Sequence, residues 1–167
     1  MKTKTTLFTL LLLVEGLFSQ EEQPLNLYGE NFALQVYIEG SQIEREFQRD
    51  NRMTEEGLES AFKLRLRRNG VPHVAQLSDA TALLAISING VDLKYEDGDR
   101  MEAKAFSFNL EFYTYLYDQE GSSVWAVTYL RRNVGFSPDD GLEDLVFDAI
   151  YPALDAFSID FLEQNNL

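Results

Sequence analysis

Ala105–Tyr117, AFSFNLEFYTYLY, constrains the fold more than any other stretch, because Phe106, Phe108, Leu110, Phe112 and Leu116 recur at every second position. Thr114 is the one interruption, and Ser107, Asn109, Glu111, Tyr113, Tyr115 and Tyr117 fill the alternate places. A period of two with one apolar parity is the pattern of a half-buried β-strand. A strand with so continuous an apolar face requires neighbouring strands and a hydrophobic layer over them.

The remaining segments supply both. Phe32–Glu39 alternates in the same way, with Phe32, Leu34, Val36 and Ile38 on one side and Gln35, Tyr37 and Glu39 on the other. Gly40 to Met53 is densely charged, and Ile43 and Phe47, four apart, fit either a short amphipathic turn or a loop. Thr54 suits a helix N-cap, followed by Glu55 and Glu56 at the positive end of the helix dipole. Leu58, Ala61, Phe62, Arg65 and Leu66 keep helical spacing, and Asn69-Gly70 with Pro72 ends the helix.

Ala80–Ile88 reads as a strand. The apolar parity changes at Gly90 to Val91, Leu93 and Tyr95, which predicts a β-bulge or bend there. Glu96-Asp97-Gly98-Asp99 and Asp118-Gln119-Glu120-Gly121 are turn sequences on either side of the central strand, and the second leads into a strand over Val124–Phe136. Ser137-Pro138-Asp139-Asp140 opens a helix with the stripe Leu142, Leu145, Val146, Ala149 and Ile150. Pro152 is expected to kink or end it before a second piece carrying Leu154, Phe157, Phe161 and Leu162, with Gln164–Leu167 frayed. The order β-α-β-β-β-α predicts a single α+β domain over residues 32–163. It is a two-layer sandwich whose mixed, mostly antiparallel sheet carries both helices on one face, its first two strands parallel neighbours.

The first nineteen residues differ in kind: Lys2 and Lys4, an apolar run from Leu7 to Val14, then the small residues Gly16 and Ser19. That order is a secretory signal, and the run is short of the ~18 to 20 residues that span a bilayer. Removing Lys2, Lys4 and Glu15 takes the net charge from −14 to −15. Residues 20–31 read as a flexible leader. The chain has no cysteine and no Asn-x-Ser/Thr site, which favours a bacterial periplasmic or secreted protein held together by its core alone. Its acidity argues against a nucleic-acid partner.

Catalysis has little to draw on. His73 is the single histidine, and there is no thiol, no Gly-x-Ser-x-Gly, no His-Glu-x-x-His and no phosphate-cradling glycine loop. The expectation is a protein without enzymatic activity and without a cofactor. Glu96, Asp97, Asp99 and Glu102 fit either a calcium-binding turn or a solvated hairpin, and lack the EF-hand spacing. Asp139, Asp140, Glu143 and Asp144 are explained by helix capping and dipole. Lys63, Arg65, Arg67 and Arg68 are either a docking patch for an anionic partner or a dipole-compensating helix end.

If the even parity of the central strand meets the helices, Tyr113, Tyr115 and Tyr117 lie on the opposite face, with Tyr37, Trp125 and Tyr129 as candidates to join them. Such a row is either a contact surface for an envelope protein or lipid component, or a solvated sheet face stabilised by cross-strand aromatic pairs. A second functional class is a carrier that holds a small apolar ligand or lipid in a helix/sheet cleft lined by Phe106, Phe108 and Phe112.

Thr54 to Leu93, with the helix end Arg68-Asn69-Gly70-Val71 and the Ala80–Asn89 strand, resembles the opening unit of small bacterial envelope domains. It is similar to the N-terminal domain of the Tol-Pal propeller protein and to the lipoprotein that plugs the lipopolysaccharide translocon. The resemblance implies a strand and helix followed by a strand, a meander and a final helix. This chain lacks the lipid-anchoring cysteine of the lipoprotein members, and no functional residue carries over.

Overall fold

The computed structural model describes Leu27 and residues 31–39, 53–94, 100–137 and 142–167. These form strand β1 (Phe32–Glu39), helix α1 (Glu55–Arg68), a 3₁₀ turn (Leu77–Asp79), strands β2 (Ala82–Lys94), β3 (Arg100–Tyr117) and β4 (Ser123–Ser137), and helix α2 (Leu142–Asn165). The expected α+β order is therefore present. The sheet order is β1-β2-β3-β4, with β1 parallel to β2 and the other pairs antiparallel.

Alternation decides which side of the sheet is covered. Leu34, Val36, Leu84, Ile86, Phe106, Phe108, Leu110 and Phe112 are buried beneath both helices. The helices contribute Leu58, Phe62 and Leu66 from α1 and Val146, Ile150, Leu154, Phe157 and Phe161 from α2. Phe112 lies 5.6 Å from Phe32 and 5.6 Å from Phe157, ring centre to ring centre, so the two layers meet through interlocked aromatic rings.

Local chemistry sets the helix ends. Thr54 accepts the Gly57 N–H at 3.0 Å, and the Glu55 carboxylate accepts the Ile38 N–H at 2.9 Å, tying the helix start to the end of β1. At the far end of α1, Arg65 Nε donates to Asp155 of α2 at 2.7 Å, and Asn69 bridges Asp155 and Ser158 at 2.8 and 3.0 Å. The Arg65 guanidinium holds the Asp155 carboxyl below the usual carboxylate range.

Several details depart from the sequence reading. The register of β2 runs unbroken through Gly90, which faces Phe106, and shifts between Asp92 and Lys94 instead. Phe106 has Gly135 as its partner on the other side, and a Cβ at Gly135 would sit 2.1 Å from the Phe106 ring. That close approach makes glycine the residue that fits there.

Helix α2 continues through Pro152. The proline is solvent-facing, as is Asp148 four residues earlier, so the lost backbone bond falls where water can replace it.

The C-terminus is capped rather than frayed. Asn166 takes φ 54°, the Leu167 N–H donates to Leu162 O at 3.1 Å and the Asn166 N–H donates to Glu163 O at 3.4 Å. This is the Schellman pattern, with asparagine in the left-handed position. Leu27, expected within a flexible leader, is fully buried and held by Gln164 and Asn165: its N–H donates to Gln164 Oε1 at 2.8 Å and its carbonyl accepts from Asn165 Nδ2 at 3.2 Å. The acidic hairpin around Glu96, the Ile43/Phe47 segment and the Pro138–Asp140 helix start lie outside the described residues.

Candidate functional site: an open aromatic sheet face

No described element covers the odd parity of β3. Cross-strand register arranges this open face in rows. Ala33, Leu83, Tyr113 and Val127 form one; Gln35, Ala85, Glu111 and Leu130 the next; Tyr37, Ser87, Asn109 and Arg132 a third. The middle rows are mixed and polar. Aromatic residues gather at the end nearest the β3–β4 turn, where Tyr115 faces Trp125 and Tyr117 faces Ser123.

Trp125 is the hub of that cluster. Its ring stacks on Tyr113 at 6.1 Å with an interplanar angle of 11°, and meets Tyr115 edge-on at 4.7 Å. These are cross-strand aromatic contacts of the kind that rigidify a sheet face. Much of the surface nevertheless stays accessible: Tyr117 is 72% exposed, Tyr115 49% and Trp125 40%.

The polar tips of the inner tyrosines are already engaged. Tyr113 OH donates to Glu111 at 2.6 Å and Tyr37 OH donates to Gln35 at 2.5 Å. The bond to the Glu111 carboxylate, then burial, pushes the Tyr113 phenol up to about 12. Tyr113 thus enters any contact as a neutral, pre-oriented ring.

The turn that presents the cluster is built by Asp118. Its Oδ1 accepts the Glu120 and Ser122 N–H groups at 2.9 and 2.8 Å, and Gly121 takes φ +84°. A short polar side chain and a glycine are what such a reversal needs.

Five of the six aromatic residues singled out in the sequence, Tyr37, Tyr113, Tyr115, Tyr117 and Trp125, share the open face. Tyr129 does not. Phe112 faces Tyr129 and Tyr113 faces Val127, so Thr128 is an extra residue on β4. This bulge reverses the parity of everything after it. Tyr129 consequently points to the helices, 9% exposed, with its ring 5.5 Å from Phe157. Its hydroxyl donates to Asp160 of α2 at 2.9 Å and accepts from Arg131 Nε, while Arg131 Nη2 reaches Asp160 at 3.3 Å. Burial, only partly offset by Arg131, raises the Tyr129 phenol well above its ordinary value.

The other candidates are tied into the fold or lie elsewhere. Lys63 pairs with Glu59 at 2.5 Å and Arg65 with Asp155, so half of the basic group serves α1 and its contact with α2. Phe106, Phe108 and Phe112 are covered, and the space beside Phe112 is filled by Phe157 and Phe161. His73 Nδ1 lies 3.3 Å from Val71 O, and its Nε2 is buried with no hydrogen-bond partner among the described residues. Burial lowers its pKa, with Arg67 and Lys63 adding to that. Among the described residues no group of three or more His, Asp or Glu is placed to hold a metal ion. No described helix is long and apolar enough to cross a membrane.

No protein-family model matches the chain, and no curated protein does. Among solved structures, a rare lipoprotein B from Shewanella oneidensis is 15% identical with a TM-score of 0.26, covering 81% of this chain and 93% of its own. A neuraminyllactose-binding hemagglutinin homologue from Helicobacter pylori is 14% identical with a TM-score of 0.28, covering 88% of this chain and 87% of its own.

Proposed function

We propose that the chain is an exported, non-enzymatic protein of a bacterial envelope, periplasmic or secreted, that binds another envelope component through its open aromatic face. The supporting observation is the clustering of Tyr113, Tyr115, Tyr117, Trp125 and Val127 at one end of an uncovered sheet. Rings fixed by mutual contacts lose little conformational freedom when a partner covers them, which makes such a cluster an efficient contact surface. The basic, apolar and small-residue order of the first nineteen residues supports export.

The carrier reading, with an apolar ligand or lipid between helices and sheet, has no comparable support. The rings that would line its cleft, Phe106, Phe108 and Phe112, are buried, and Phe112 packs against Phe32, Phe157 and Phe161.

Site-specific photocrosslinking in the host tests the reading. A photoreactive residue at Tyr117 or Trp125 is expected to yield a discrete adduct with one envelope component, while the same residue at exposed Leu64 on α1 yields none. Adducts equal at all three positions, or none at the sheet face, would overturn it.

A further inference from the structure

Strand β4 is the last strand of the sheet, and among the described residues nothing pairs with its outer side. From Thr114 to Tyr117, β3 pairs with β4 but no longer with β2, so this end of the sheet is a two-stranded ribbon overhanging the rest. Both of its faces carry exposed apolar side chains: Tyr115, Tyr117 and Trp125 on one, Leu116 and Val124 on the other. Helices cover one side of an ordinary sheet. They cannot account for a ribbon that is apolar on both.

The hydrogen-bond phase of the edge is also defined. Asp118 N–H donates to Ser122 O at 2.9 Å, so that pair points inward, and alternation turns the backbone groups of Ser123 and Trp125 outward. Ser123 to Thr128, SVWAVT, carries no charge and no proline, the features that usually blunt an exposed edge. Charge begins at its two flanks and with opposite sign: Asp118 and Glu120 in the turn, Arg131 and Arg132 beyond the bulge.

We propose that a second copy of this chain pairs with this edge, β4 against β4, antiparallel about Trp125, joining two sheets into one. The symmetry of the flanks selects this occupant. Glu120 lies five residues before Trp125 and Arg131 six after it, of which Thr128 is the bulged extra. Two-fold pairing centred on Trp125 therefore sets the acidic turn of each copy level with the arginine pair of the other. A self-complementary patch of this kind is what a closed two-fold dimer requires. Trp125 faces its counterpart with both backbone bonds exchanged, and Val124 comes to lie beside the second copy's Ala126, covering the ribbon on its other side. Arg131 is engaged with Tyr129 and Asp160, whereas Arg132 is exposed on the open face, so Arg132 is the arginine that meets the acidic turn. The net charge of −14 opposes association at low ionic strength, so the dimer is weak and best seen at physiological salt.

Sedimentation of the purified full chain over a dilution series, with emission of Trp125, the only tryptophan, followed in parallel, reads this directly. A monomer–dimer equilibrium is expected, with emission moving to longer wavelength on dilution. Arg132→Glu is expected to raise Kd by at least about tenfold. Adding Glu120→Arg to that variant should return Kd to within about threefold of the original. Both positions are exposed, and thermal melts of the two variants confirm that they fold. A chain monomeric at every concentration overturns the proposal, including when an unrelated extended peptide is found to occupy the edge instead. So does a dimer indifferent to Arg132→Glu, or a double variant no better than the single one.

Discussion

Two halves of one strand teach most about this molecule. Before Thr128, β4 places Trp125 and Val127 on the open face; after it, the same alternation places Tyr129 and Arg131 against the helices. The residue types barely differ, yet Trp125 is 40% exposed and Tyr129 is 9% exposed. Side-chain identity therefore does not decide burial here. A single inserted residue does, because a one-residue slip exchanges the faces of a strand.

The sharpest way to break that contrast is to remove the ring that closes the covered side. Phe157→Ala deletes a fully buried side chain touching Phe32, Phe112 and Tyr129, and should cost about 3–5 kcal/mol in chemical denaturation. Gly135→Ala tests the same face from the sheet side. Its Cβ would overlap the Phe106 ring, and a loss of about 1–3 kcal/mol is expected as that ring is displaced.

Hydroxyl removal sharpens the comparison further. Tyr129→Phe removes the hydroxyl that donates to Asp160 and accepts from Arg131, leaving only the direct Arg131–Asp160 pair, and should cost about 1 kcal/mol. Tyr113→Phe, whose hydroxyl bonds to Glu111 on the open face, should stay within about 0.5 kcal/mol of the parent.

Acid should act on the covered side through His73. Burial lowers its pKa in the folded chain below the ordinary imidazole value of 6.5, so the unfolded chain binds the proton more readily. Stability is then complete above pH 6.5 and declines as the pH falls from there towards the lower folded value. Melting curves on either side of that pH should show less acid sensitivity in His73→Gln than in the parent. An equal decline in both would place the acid response elsewhere. The smallest effect is expected at the exposed tip of the open face, where Tyr117→Ser should shift stability by no more than about 0.5 kcal/mol.

Periodicity carried most of the fold. The even parity of β3 and the stripes Leu58–Phe62–Leu66 and Val146–Ile150–Leu154 are local patterns, and the core is made of them. What periodicity could not carry is contact between distant residues. The Arg65–Asp155 pair joins side chains ninety positions apart, and Leu27 reads as polar-leader sequence until Gln164 and Asn165 are placed beside it.

Parity itself misleads where a strand is irregular. Gly90 looks like a bulge because the apolar pattern changes there, yet the register runs straight through it. Thr128 is a bulge with no glycine to announce it, so strict alternation makes Tyr129 a candidate for the open face beside Trp125. Of the candidate site, the tyrosines of β1 and β3 were legible because their strands are regular there. The placement of Tyr129 was not.

Tyrosine nitration of the native protein, mapped peptide by peptide, tests the central claim most directly. Tyr115 and Tyr117 should be modified readily and Tyr129 protected until the chain unfolds. Nitration of native Tyr129 at the rate of Tyr117 would contradict the parity reversal at Thr128 and, with it, the division of the sheet into a covered and an open face.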